Sequence, residues 1–153
     1  MKLFLGISLM VLFTSDLNAQ NRKSIGGISF FSIIVKNIDT SIHWYSDILG
    51  FVVQNKVEDK ERGFRQANLR FKKTNLELIE TRNSLEADFE ASNAILKGFF
   101  KIGFTIKNFD SQIEQLIKKG VKFRGQVVAD PSSGKKMVIL LDPDGNRVQF
   151  FEK

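Results

Sequence analysis

Apolar residues along this chain follow two rhythms, one of period two and one of about 3.6, and the two recur in the same order. Ile28 to Lys36 is dense in Phe, Ile and Val, the composition of a mostly buried strand. Ile38, Ile42, Tyr45 and Leu49 then share one helix face, with capping oxygens at Asn37 to Asp39 and Gly50 to end the helix. Three more strands are expected at Phe51 to Val57, Gly63 to Phe71 and Leu76 to Thr81, with Lys72-Lys73-Thr74-Asn75 as the last turn. A linker from Ser84 to Gly98 shows helical tendency, and then the order returns. Phe99 to Lys107 is a strand, and Phe109, Ile113, Leu116 and Ile117 form a helical stripe that Gly120 stops. Ser111 with Glu114 reads as a capping box. Val121 to Ala129, Met137 to Leu141 and Arg147 to Glu152 complete the set, the last two joined by the tight-turn residues Asp142-Pro143-Asp144-Gly145.

The recurrence extends to the residues themselves. Ile34-Val35-Lys36-Asn37-Ile38-Asp39 returns 71 residues on as Thr105-Ile106-Lys107-Asn108-Phe109-Asp110. Leu76-Glu77-Leu78-Ile79-Glu80 returns 72 residues on as Val148-Gln149-Phe150-Phe151-Glu152. Two separated segments that keep register across a whole half imply a duplicated βαβββ unit, with the cleft between halves as the place to look for function.

Composition narrows the class. With 153 residues, 42% apolar and 26% charged, the chain suits one domain with a real core. Its first 19 residues read as a signal peptide: Lys2, an apolar run from Leu3 to Phe13, polar residues, and a small residue at Ala19 for cleavage. The run is short of the ~20 apolar residues a bilayer span needs, so no stable membrane span is expected once the leader is removed. The expectation is therefore an extracytoplasmic protein, periplasmic or secreted. Its single domain covers 20–153, with modules at about 25–82 and 99–153 and a linker at 83–98. Zero cysteines exclude a disulfide framework and a thiolate nucleophile. The net charge of +6 comes from scattered lysines at element ends, which argues against nucleic-acid binding. No dinucleotide fingerprint, phosphate loop, HExxH pair or nucleophile elbow is present.

Two βαβββ units with Val35, Ile38, Ser41-Ile42, Trp44-Tyr45 and Leu49-Gly50-Phe51 early, and Asp142-Pro143-Asp144-Gly145-Asn146 late, resemble the vicinal-oxygen-chelate superfamily. That group holds glyoxalase I, extradiol dioxygenases and bleomycin-resistance proteins. The resemblance covers about Ile25 to Lys153. It implies an α+β fold in which two tandem modules curl a mixed sheet into a cup. It also implies, for metal-dependent members, ligands near the start of the first strand and within the last strand of each half. Those positions fall on Phe30, Glu77, Lys101 and Gln149. Only Glu77 is a good ligand, Gln149 is marginal, Phe30 offers no lone pair, and Lys101 is a cation. The reading is a cup with no metal and no other cofactor, in which Lys101 pairs with Glu77. Phe30, Ser32, Thr105 and Phe151 line it with them, around a small anionic or neutral organic molecule. The alternatives are a glyoxalase-like lyase or dioxygenase, using a divalent metal or Glu77 as base with Lys101 as stabiliser, and a module whose sheet face seals a homodimer. Glu77 also suits a cross-strand ion pair, and Glu80 and Glu152 read as exposed strand-end charges. His43, the sole histidine, reads as a solvated helix residue, with Trp44 and Tyr45 as core.

Overall fold

The computed structural model describes residues 28–85 and 98–153; the expected leader and most of the expected linker lie outside the described residues. The first module contains β1 (Phe31–Ile34), α1 (Ile38–Leu49), β2 (Val52–Asp59), β3 (Phe64–Phe71) and β4 (Thr74–Thr81). The second contains β5 (Ile102–Ile106), α2 (Phe109–Lys118), β6 (Val128–Ala129), β7 (Lys136–Leu141) and β8 (Arg147–Glu152). The strands form two four-stranded sheets, ordered β1-β4-β3-β2 and β5-β8-β7-β6. In each, the first strand runs parallel to the last and the other neighbours are antiparallel. This is the α+β tandem βαβββ arrangement that the repeat implies.

Local chemistry places the first helix where the pattern puts it. The Asn37 side chain accepts the Thr40 N–H at 2.9 Å, and Gly50 ends the helix at φ 74°. The second helix departs from expectation. It starts at Phe109 after Asn108, whose side chain caps nothing, so Ser111 lies inside the first turn and the capping box does not form. Ile117 turns outward at 61% exposure, leaving Phe109, Ile113 and Leu116 as the buried stripe. The expected strand from Val121 is interrupted by Gly125 at φ 85°; only one bridge, Phe123 to Leu140, precedes the two-residue β6. The β3–β4 turn narrows to Lys72-Lys73, because Phe71 pairs with Thr74 and Arg70 with Asn75.

One apolar core joins both modules. Phe51, 2% exposed, meets the Phe104 ring edge-on at 6.4 Å, and Phe104 meets Phe150 at 6.5 Å. Truncating a ring so enclosed costs about 3–5 kcal/mol. Polar groups complete the seam. The buried Tyr45 hydroxyl donates to Asp142 Oδ2 at 2.9 Å, while Asp144 accepts from the Lys36 N–H at 3.1 Å and the Ser41 hydroxyl at 3.4 Å. Asp142 also accepts from the Asp144 and Asn146 backbone and the Asn146 side-chain amide, which holds the turn rigid. Thus Asp142-Pro143-Asp144-Gly145 is a tight turn and also the clasp that joins the second module to the first. Burial, followed by the Asp142 charge, pushes the Tyr45 phenol far up and keeps it a donor.

The duplication reaches the ionic contacts. Arg65 at the start of β3 binds Asp39 at 2.8 Å and Glu80 at 3.3 Å. In the second module Lys136 at the start of β7 binds Asp110 at 2.6 Å and donates its backbone N–H to Glu152 at 3.1 Å. Glu80 also accepts the Ile38 N–H at 2.7 Å. Glu80 and Glu152 are therefore half-buried backbone acceptors and not the free strand-end charges expected. Exposed pairs of this kind add ~0–1 kcal/mol each, so they fix orientation more than stability.

Candidate functional site

Each sheet packs one face on its helix; among the described residues the other face is open in the first module and partly open in the second, where Gln149 at its centre is buried. In the first module the open face carries three cross-strand rows. The central row runs across all four strands, because Asn55 is opposite Asn68, Asn68 opposite Glu77, and Glu77 opposite Ser32. Its members are bonded in two pairs, which Gln66 of the neighbouring row links. The Asn68 amide donates to Asn55 Oδ1 at 2.6 Å, and Ser32 donates to Glu77 Oε2 at 2.8 Å. Gln66 donates to Glu77 Oε1 at 2.6 Å and, longer, to Asn68 Oδ1 at 3.4 Å. Glu77 thus spends both oxygens on neutral donors. Among the described residues no ion pair joins it to Lys101 or to any other cation, which corrects both the expected Lys101–Glu77 pair and the expected cross-strand ion pair. The reason is register: Ser32 and Gln66 are already within reach of the carboxylate.

In the second module the matching positions are less polar, with Gly103, Ile139 and Met137 in place of Ser32, Asn68 and Gln66. Gly103 is opposite Gln149, and Thr105 opposite Phe151. Gln149, 3% exposed, donates its amide to the Met137 sulfur at 3.0 Å, and its Oε1 is buried with no partner. Lys101 stands with its Nζ 5.9 Å from the centre of the Phe100 ring, whose other company is the Arg147 guanidinium at 4.2 Å. The aromatic ring and solvent hold Lys101.

Of the seven expected lining residues, Ser32 and Glu77 come together in the first module, and Gln149, Phe151 and Thr105 sit on adjacent β5 and β8 in the second. Phe30, 57% exposed, lies just before β1 on the same face as Ser32. Among the described residues no hydrogen bond or ion pair crosses between the two sets. Asn55, Gln66 and Asn68 escape a reading based on ligand positions. Their signal is the period-two alternation of β3, where Gln66, Asn68 and Arg70 interleave with Ala67, Leu69 and Phe71. His43 is exposed in a groove of about 310 Å³ between α1 and the end of α2, beside Asp47 and Lys119 and away from both open faces. Among the described residues no group of three or more His, Cys, Asp or Glu side chains is placed to hold a metal ion. No helix among them is long and apolar enough to cross a membrane.

Comparison with known proteins gives a consistent picture. The model of the Glyoxalase/Bleomycin resistance protein/Dioxygenase superfamily matches residues 27–150. The fold is similar to that of a glyoxalase family protein from Enterococcus faecalis, with 21% identity and TM-score 0.71 over 83% of this chain and 98% of that one. It is also similar to a glyoxylase/bleomycin resistance protein/dioxygenase domain from Frankia sp. EAN1pec, with 20% identity and TM-score 0.67 over 84% and 98%. The trypanothione-dependent glyoxalase I of Leishmania major superposes with 21% identity and TM-score 0.62 over 81% and 84%. No curated protein sequence matches. At such identities the structural likeness speaks for the fold, and one fold hosts several chemistries.

Proposed function

The chain belongs to the Glyoxalase/Bleomycin resistance protein/Dioxygenase superfamily, and we propose that it is an exported member that binds a small neutral or anionic organic molecule on its open sheet faces without a metal ion. The observation that carries this reading is the donor set. The positions that the resemblance marks for a metal hold Phe30, Glu77, Lys101 and Gln149. Glu77 is bonded to Ser32 and Gln66, Gln149 is buried against Met137, Phe30 has no donor atom, and Lys101 carries a charge that opposes a cation. Three protein ligands plus an open position are the usual need of a catalytic centre, and this set does not fit it. Use of Glu77 as a base assisted by Lys101 requires the two to meet, and Lys101 stands over Phe100 instead. Export rests on the leader pattern ahead of Ala19.

Dialysis of the purified chain against nickel, zinc, manganese and iron, followed by metal analysis, tests the metal-free reading. Substoichiometric, easily chelated metal is expected; one tight site per chain would overturn it. Cell fractionation with N-terminal sequencing tests export, with a mature chain starting at or near Gln20 as the expected result. A face sealed between two copies would show as a dimer that no small molecule perturbs.

A further inference from the structure

The open face of the first module is more specific than a solvated sheet surface requires. Its central row, Asn55–Asn68–Glu77–Ser32, presents amide, carboxylate and hydroxyl groups at the ~4.8 Å spacing of adjacent strands. Four apolar residues frame that row: Val57 and Ile34, in register with Gln66 and Ile79, on one side, and Val52 and Phe30, flanking Arg70 and Asn75, on the other. They are 53%, 59%, 62% and 57% exposed. The fold does not demand this arrangement, since the second module carries Ile139, Gln149 and Gly103 at the matching places.

We propose that this face binds a neutral polyol, a saccharide of one or two rings laid across the four strands. The proposal rests on the reading that the open faces take a small organic molecule, and it names that molecule's chemistry. Hydroxyl groups are donors and acceptors at once, and the row offers both. Each Glu77 oxygen accepts one internal hydrogen bond and keeps lone pairs for more. The Asn55 amide accepts from Asn68 and retains its own N–H groups for an outside oxygen. The exposed Phe30 ring supplies a flat apolar surface for the C–H face of a sugar ring. Charge selects against ions at the row itself: an anion at its centre meets the Glu77 carboxylate, and a cation there has Arg70 in the flanking row against it.

The test uses the isotope-labelled chain and follows side-chain amide resonances by NMR during titration with cellobiose, with maltose, with benzoate as an anion and with choline as a cation. Saturable shifts of the Asn55, Gln66 and Asn68 amides with at least one disaccharide are expected. Asn55→Ala and Phe30→Ala, both on the exposed rim, should each weaken that binding about tenfold, while thermal midpoints stay close to the parent. Equal shifts in the two variants, or a response of this row to choline or benzoate alone, would overturn the polyol assignment. Benzoate shifts confined to the Gln149 amide would overturn it too, yet leave the small-molecule reading standing. Silence of every resonance to all four compounds would overturn both.

Discussion

Glu77 and Gln149 stand at one position of a duplicated unit, and their surroundings have diverged in opposite directions. Glu77 is opposite a serine and beside two amides, and both of its oxygens have partners. Gln149 is opposite a glycine and beside Met137 and Ile139, and its carbonyl has none. The backbone register is the same in the two modules; the chemistry on it is not. What the repeat conserves is the parallel pairing of first and last strand, the helix on one face, and an acid on the helix bound to a base on the third strand. The open faces have been free to change, which is where a family of one fold acquires different ligands.

The largest effect separates the two hairpin turns. In the second module Asp142 accepts from Tyr45, Asp144 and Asn146 in the buried seam; in the first, Lys72 and Lys73 lie in solvent. Asp142→Ala strands the Tyr45 hydroxyl and should cost about 3 kcal/mol, measured by chemical denaturation. Lys73→Ala should stay within about 0.5 kcal/mol. Comparable losses from the two substitutions would mean that the modules are not clasped through this turn.

The next effect is a difference of sign. Glu77→Leu leaves Ser32 and Gln66 without their acceptor and should destabilise by about 1 kcal/mol. Gln149→Met removes an orphaned buried carbonyl, keeps the volume, and should stabilise by about 1 kcal/mol. If both substitutions destabilise, an internal partner for the Gln149 carbonyl exists and the contrast between the faces is weaker than the geometry indicates. The same contrast can be repaired from the other side. A Cβ added at Gly103 meets only Phe151 at 3.7 Å and the Gln149 backbone oxygen at 3.9 Å, ordinary contact distances. Gly103→Ala should therefore gain about 0.5 kcal/mol from reduced chain freedom. Gly103→Ser, which restores the hydroxyl found at Ser32, should exceed Gly103→Ala by about 1 kcal/mol, as a new hydrogen bond to Gln149 would.

Local periodicity makes the modules legible. The alternation through β1, β4, β5 and β8 assigns Ser32 and Glu77, and Gly103 and Gln149, to matching places, and the observed pairing puts each couple side by side. Long-range partners were not legible. Nothing near Asp142 in the chain points to Tyr45, 97 residues away. Lys101 is the natural partner for Glu77 in the sequence, where nothing marks Gln66 as a strand residue within 2.6 Å of that carboxylate. The capping box failed for the opposite reason, since a valid local signal at Ser111 was overruled by the buried Phe109, whose packing starts the helix earlier.

The smallest effect concerns pH and again divides buried seam from exposed rim. Burial raises the Asp144 carboxyl above its ordinary value, against the lowering influence of the Lys36 N–H and the Ser41 hydroxyl. An acid whose pKa is raised by folding binds its proton more tightly in the native state. Its contribution therefore favours folding as pH falls and opposes it as pH rises through that interval. Asp39 and Asp47 behave in the reverse sense. The Arg65 and Lys119 hydrogen bonds hold them below the usual range, so what they add is present near neutrality and lost on acidification. Asp144→Asn imitates the protonated seam while leaving the rim untouched. Urea midpoints for the parent and this variant, compared from about pH 7 to about pH 4, should show the variant ahead at neutrality and the gap closing in acid. A gap independent of pH would mean that Asp144 titrates as it does in the unfolded chain, and that the clasp between the modules is wetter than its packing implies.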